Sequence, residues 1–337
     1  MKVKAWGTRG SISINNADSR KYGGNSTCYE VISDFLPPFT KLIIDAGTGF
    51  VPCGNSYLPL MNQGLNYTVL ITHYHWDHIL GMTIAPPTFV DEIPLHMYGP
   101  VDRGRGLKDV LDEVFRLPFF PVECSHIENH IDIHSMENFE ERTLIVHPKL
   151  GFKNSTRKEV ANADAGDKII RSKDREIPLN ESLVIKMAPT THGNSTCIAY
   201  RFEERPTGRV FVFCTDHDNM RGIPKPLGDL FQDANMAIVD AQYDEEKYIK
   251  FHSHYGHGTP IGAVKLALSG DVEQLGLTHH DPMVTDQYLE TMILPEAVRA
   301  FKNISKDKEQ LKALGAKKVR LREENIFLCG DYQVYEV

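Results

Sequence analysis

Short apolar runs closed by polar or glycine-rich residues recur along the chain. Met1–Gly7, Cys28–Ser33, Lys41–Asp45 and Tyr67–Ile71 read as strands, and so do Ser182–Ala188, Cys197–Phe202, Val210–Cys214, Ala237–Ala241 and Gln274–Leu277. Helical spacing predicts helices over Gly106–Arg116, stopping before Pro118, over Pro260–Ser269, and through Pro295–Leu314, which is polar on one face. Between these, Pro86–Pro100 reads as a proline-punctuated connection. Leu117-Pro118-Phe119-Phe120-Pro121 suits neither regular element, because its prolines remove backbone donors, and core packing is one of two roles open to Phe119 and Phe120. Val319–Arg322 and Ile326–Cys329 suggest closing strands.

The pattern fades from about Lys149 to Glu181, which is rich in lysine, asparagine and aspartate. This reads as an exposed hairpin or a lid, part of an insertion near 130–181 in an otherwise single domain spanning 1–337. Its Lys153, Arg157, Lys158, Lys168, Arg171 and Lys173 are expected to form a solvated face, with contact to a phosphate as the alternative.

Composition narrows the function classes. A hydrophobic content of 41% in 337 residues allows a sizeable core. With 37 basic against 45 acidic residues, the net charge of −8 gives no global pull toward nucleic acid or an anionic membrane. A polar N-terminus and no apolar run near the ~20 residues of a membrane span predict a soluble cytoplasmic protein. Six cysteines without a Cys-x-x-Cys pair read as buried thiols.

The chemistry concentrates directly after the run Tyr67–Ile71, in His73-Tyr74-His75-Trp76-Asp77-His78. In extended backbone, residues two apart share a side, so His73 and His75 point together, while Asp77 and His78 emerge from the following turn toward a neighbouring position. Imidazole suits zinc and similar ions and carboxylate suits harder ones, so this mixed set can serve two adjacent metals.

His-x-His-x-Asp-His resembles the signature of the metallo-β-lactamase superfamily. With Gly7-Thr8-Arg9-Gly10-Ser11 and Tyr22-Gly23-Gly24-Asn25-Ser26-Thr27-Cys28, the chain resembles the phosphodiesterase-like branch that includes tRNase Z relatives and cyclic-nucleotide phosphodiesterases. The resemblance implies an α/β fold, an αββα sandwich, carrying the insertion at its surface. It implies that His192, after Thr190-Thr191, is the third histidine of the first metal, and that Asp216 bridges two metals, with His217 and Asp218 as local competitors. His279, in a Leu-Thr-His context, is the implied last ligand of the second metal, with His280 as alternative; neighbours on a strand end face opposite ways, so only one reaches it. Asp45, in Asp45-Ala46-Gly47-Thr48-Gly49, either holds a ligand loop or simply makes a turn. Gly256-His257-x-Thr259 resembles a segment whose histidine donates a proton, a role that falls to His257. His252 and His254 read as substrate-facing or solvated.

The expected ligand sets are therefore His73, His75 and His192 for one ion, Asp77, His78 and His279 for the other, and Asp216 between them. Asp77 and His257 are the residues expected in the catalytic step. Two divalent ions are implied, zinc first, with manganese or iron as alternatives. The expected reaction is cleavage of a small phosphodiester, a cyclic nucleotide first, through a metal-bound hydroxide. RNA-end processing, or hydrolysis of a lactam, lactone or thioester, remains the alternative. The acidic balance weighs against a long polynucleotide as partner. A membrane is not expected, and a homodimer stays open.

Overall fold

A computed structural model describes residues 1–172 and 175–337, so the expectation for Lys173 lies outside the described residues. Two large sheets lie face to face. The first has seven strands in the order Val334–Glu336, Lys2–Gly7, Cys28–Ile32, Thr40–Ile44, Asn66–Leu70, Leu95–Pro100 and Ile131–Met136. The second has eight, in the order Ile326–Leu328, Gln274–Thr278, Met236–Asp240, Arg209–Cys214, Ile198–Glu204, Leu183–Pro189, Arg142–His147 and Gly151–Thr156.

Strand alternation builds the layers. In Met236–Asp240, Met236 and Ile238 point into the core between the sheets, while Ala237 and Val239 face the outer helix layer. That layer is formed by the helices Pro260–Ser269 and Leu294–Ile304. On the other side, Tyr67 and Val69 pack with Phe50 and Leu107 from the helices Phe50–Tyr57 and Leu107–Val114, and Leu70 faces the partner sheet. Strands covered on both faces read as continuous apolar runs for this reason. The result is an αββα sandwich, as the resemblance implies. No helix among the described residues is long and apolar enough to cross a membrane.

Several expectations are corrected. The supposed connection Pro86–Pro100 contains the strand Leu95–Pro100, parallel to Asn66–Leu70; the proline ends the strand, where a missing donor costs little. The supposed insertion also narrows. Ile131–Met136 is the outer strand of the first sheet, and Arg142–His147 and Gly151–Thr156 finish the second. Outer strands keep an exposed face and polar residues, which weakens their pattern.

Beyond them, the helix Arg157–Ala165 and the strand pair Ile169–Arg171 and Glu176–Pro178 pack through Val160, Ile170 and Ile177 onto Ile145 and Val184. Arg157 donates to the carbonyl of Met187, and Arg171 pairs with Glu176 at 3.0 Å and with Asp167. Val319–Arg322 is not a strand: it is a loop in which Leu321 is buried and Arg320 holds Glu273. The strand that closes the first sheet is Val334–Glu336, antiparallel to Lys2–Lys4. Phe120 packs on Phe115 with ring centroids 5.2 Å apart, but Phe119 is 73% exposed. All six cysteines are free and buried.

Candidate metal centre

The candidate ligands sit at the carboxyl ends of parallel strands. Thr40–Ile44 runs parallel to Asn66–Leu70 in one sheet, and Arg209–Cys214, Met236–Asp240 and Gln274–Thr278 run parallel in the other. Leu183–Pro189 is antiparallel to Ile198–Glu204, which is antiparallel to Arg209–Cys214, so it too runs toward the same edge. Open α/β sheets commonly bind ligands outside the carboxyl ends of their strands. Just past these ends the chain must turn sharply, and Asp45, Asp216 and His279 all take left-handed backbone, at φ 60°, 53° and 60°. Such conformations are costly for residues other than glycine and concentrate at functional sites.

The expected residues converge in two groups: His73, His75, His192 and Asp216, then Asp77, His78 and His279. Asp216 lies between them with its two oxygens turned to different sides. Its Oδ1 is 3.6 Å from Nε2 of both His73 and His192, while Oδ2 is 3.1 Å from Nε2 of His78 and 3.3 Å from Nε2 of His279. Asp77 Oδ2 completes the second group, 3.2 Å from His78 Nε2 and 3.1 Å from His279 Nε2.

The competitors point elsewhere. His280 Nε2 bonds the carbonyl of Cys329 at 2.8 Å, His217 Nδ1 accepts from the Thr191 amide, and Asp218 takes the Tyr248 hydroxyl at 2.7 Å. His252 stacks on Tyr243 at 4.0 Å, and His254 is exposed.

The far side of each ligand is tied down. Asp45 Oδ2 is 2.8 Å from His78 Nδ1, and the same carboxylate accepts the amide and hydroxyl of Thr72, whose oxygen lies 3.1 Å from His73 Nδ1. His192 Nδ1 donates to the Gly256 carbonyl at 2.8 Å. Gly256 has φ +81°, and an added Cβ would lie 2.7 Å from that ring nitrogen, so glycine is required there. The opening motif acts here as well: the Ser11 amide donates to Asp77 Oδ2 at 2.7 Å, and a side chain on Gly10 would strike the His279 ring.

His257 stands beside the two groups, its Nδ1 3.1 Å from Asp240 Oδ2 and its ring stacked on His279 at 4.9 Å. Sequence reasoning missed Asp240. The available signal was a carboxylate closing an apolar run, as at Asp45.

Burial alone disfavours charge on all these groups. Against that cost, His279, His78 and His73 hold Asp216 well below the ordinary carboxylate range, and His78 and His279 do the same for Asp77. Asp216, Asp77 and Asp45 lift His78 well above its ordinary value despite its burial, and the carboxylates bring His279 to about 9. His73, deeply buried beside His78, His192 and His75, is pushed well below.

The donors fit a metal on a further observation: His73 Nε2, His78 Nε2 and Asp216 Oδ1 are buried and, among the described residues, have no hydrogen-bond partner. Buried polar atoms without partners are costly, and here they point at one another across the gaps that ions would span.

Comparison with known proteins agrees with this geometry. A family profile described as a Beta-lactamase superfamily domain matches residues 125–280. The ribonuclease Z of Prochlorococcus marinus subsp. pastoris is 25% identical over 271 residues, covering 73% of this chain and 81% of the relative. Over residues 125–280 the chain is similar to the metallo-β-lactamase superfamily.

Solved structures of that fold superpose over the whole chain. Unliganded yeast PDE1 does so at a TM-score of 0.61 and 13% identity, covering 99% of its own chain, and the short form of human tRNase Z at 0.53 and 16%, also covering 99%. With these similarities and this donor set the chain is a metal-dependent hydrolase, and the fold implies divalent ions.

Proposed function

We propose that the chain is a dinuclear phosphodiesterase acting on a small cyclic phosphodiester, a cyclic nucleotide first, with zinc as its resident metal and manganese or iron as substitutes. The whole chain is read as one catalytic domain working in the cytoplasm. What carries the reading is Asp216, whose two oxygens face two separate sets of histidines. On that orientation His73, His75 and His192 would hold one ion and Asp77, His78 and His279 the other, with Asp216 serving both sets.

A pair of divalent ions supplies polarisation of phosphoryl oxygens and acidification of a water. The chain's own residues do the rest. Asp216 and Asp77 would provide negative charge to offset two cations. His257, lining the mouth over the ligands, is oriented through Nδ1 by Asp240, which leaves Nε2 to hand a proton to the departing alkoxide. Burial opposes charge on Asp240, but the hydrogen bond and charge of His257 keep its pKa below the ordinary value, so it stays a carboxylate.

The net charge of −8 and a mouth of about 310 Å³ favour a small diester. RNA-end processing is the second reading, favoured by relatives named ribonuclease Z that align with 73% of the chain.

Metal-reconstituted protein assayed on bis-p-nitrophenyl phosphate, cyclic nucleotides, a 3′-extended RNA, a lactam and a thioester separates the readings. Turnover of the phosphodiesters alone is expected. RNA cleavage without cyclic-nucleotide turnover selects the second reading, and lactam or thioester hydrolysis without diester cleavage overturns both.

A further inference from the structure

The mouth over the metal ligands shares a wall with a larger cleft. Tyr74, His75 and Trp76 border both, and the second space, about 490 Å³, continues past them along the helix Leu107–Val114 to Phe119. Together the two are of a size to seat a nucleotide-scale ligand, with one end over the ions.

The cleft displays aromatic surface to water. Trp76 is 60% exposed and Phe119 73% exposed, although both border a concave, partly apolar space with Ile79, Val110 and Val114. Trp76 lies between the candidate ligands His75 and Asp77 at the start of a one-turn helix. Arginines stand at the rim. Arg105 is paired with Glu113 at 2.6 Å, whereas Arg103 reaches the Asn194 carbonyl at 3.4 Å and Arg116 is exposed. Flat aromatic faces beside guanidinium donors are what a nucleobase uses: a π-face to stack on, and ring nitrogens and exocyclic oxygens that accept hydrogen bonds.

We propose that this cleft is a nucleobase subsite, in which the base of a nucleoside phosphodiester stacks on Trp76 and Phe119 and meets Arg103 and Arg116 while its phosphate lies over the metal ligands. The proposal rests on the phosphodiesterase reading and adds the part of the substrate that the metal site does not touch. It separates nucleoside esters from alkyl or sugar esters with the same phosphate.

The chain has two tryptophans, and Trp6 is buried, so quenching of exposed-tryptophan fluorescence reports Trp76 directly. Adenosine 5′-monophosphate titrated into metal-loaded protein is expected to quench it, and ribose 5-phosphate to leave it unchanged. Phe119→Ala is expected to weaken the nucleotide roughly 5- to 150-fold, the range of one lost base–aromatic stack, with Phe119→Tyr restoring most of it and ribose 5-phosphate affinity unmoved. The KM for adenosine 3′,5′-cyclic monophosphate is expected to follow the same order.

Equal binding of the nucleotide and the base-free phosphate, or equal losses on both in Phe119→Ala, overturns the subsite. Base-dependent binding without cleavage of any phosphodiester would uphold the subsite and sink the phosphodiesterase reading. Equal turnover of base-bearing and base-free cyclic phosphates would do the reverse. An oligonucleotide with an intact 3′-terminal base that binds more tightly than the mononucleotide and its abasic counterpart assigns the same subsite to an RNA end.

Discussion

Two places in the molecule bring histidines and aspartates within reach of one another, and they differ in nearly every other respect. At the strand ends every candidate ligand but His75 is buried, and among the described residues several of their inner atoms have no partner. On the outer strand of the first sheet and its neighbour, His96, Asp132 and His134 also gather their donor atoms within 4.8 Å, but their side chains are 41%, 56% and 38% exposed. There the carboxylate itself satisfies both rings, with Asp132 Oδ2 3.2 Å from His96 Nδ1 and 2.8 Å from His134 Nε2.

In the buried cluster the partners stand behind the rings: Asp45 for His78, Thr72 for His73, the Gly256 carbonyl for His192. Nearness of ligand types is therefore not what makes a metal centre. A centre needs inward atoms left free and outward atoms held, so that the cost of burying polar groups is recovered only when a cation arrives.

The largest expected effect removes the shared carboxylate. Asp216→Asn is expected to keep the fold and lose more than ~100-fold in turnover, beyond the ~10–100-fold usual for a partner behind a ligand, because a neutral amide cannot offset two close cations. Elemental analysis alongside the assay checks it; full metal content with native turnover would move the bridging role to Asp218.

Next comes the edge of the buried cluster. His257→Ala is expected to retain its ions but to slow hydrolysis of an ester with an alkyl leaving group by ~10²–10⁴-fold, and to affect a p-nitrophenyl ester much less. Equal losses on the two esters would rule out proton donation, and loss of an ion would make His257 a ligand.

A smaller effect is expected behind the ligands. Asp45→Asn tolerates the left-handed backbone but cannot hold His78 and Thr72 with a charge, so metal affinity measured by competition with a chelator is expected to fall ~10–100-fold. An unchanged affinity would undo the distinction drawn between the two clusters.

The smallest effect belongs to the exposed trio. His134→Ala is expected to leave tightly bound metal unchanged, at about two ions per chain in variant and native protein alike, as a two-metal site requires. A native content near three that drops by one in the variant would show that half-exposed, self-satisfied groups suffice.

The first half of the candidate site was legible because its ligands are contiguous: a strand followed at once by His73, His75, Asp77 and His78 carries its meaning in spacing. His192, Asp216 and His279 were reached through resemblance, since each is an isolated residue after a strand. Asp240 was not reached, because a carboxylate ending an apolar run has no local mark that separates a partner for His257 from an ordinary turn. The strand Leu95–Pro100 was hidden by flanking prolines, one of which ends it, and Ile131–Met136 by polar residues that an outer position in a sheet makes tolerable.

The sequence by itself determined which strands would be buried, where the helix Pro260–Ser269 begins and ends, and that two kinds of ligand follow one strand, because periodicity and spacing act over a few residues. Only the tertiary structure decided that the oxygens of Asp216 part between two sets of histidines, that His279 turns inward while His280 turns to Cys329, and that Trp76 and Phe119 share one cleft. Those outcomes depend on residues more than 40 positions apart meeting at one sheet edge, and direction at that edge is set by packing and left-handed turns that local sequence does not specify.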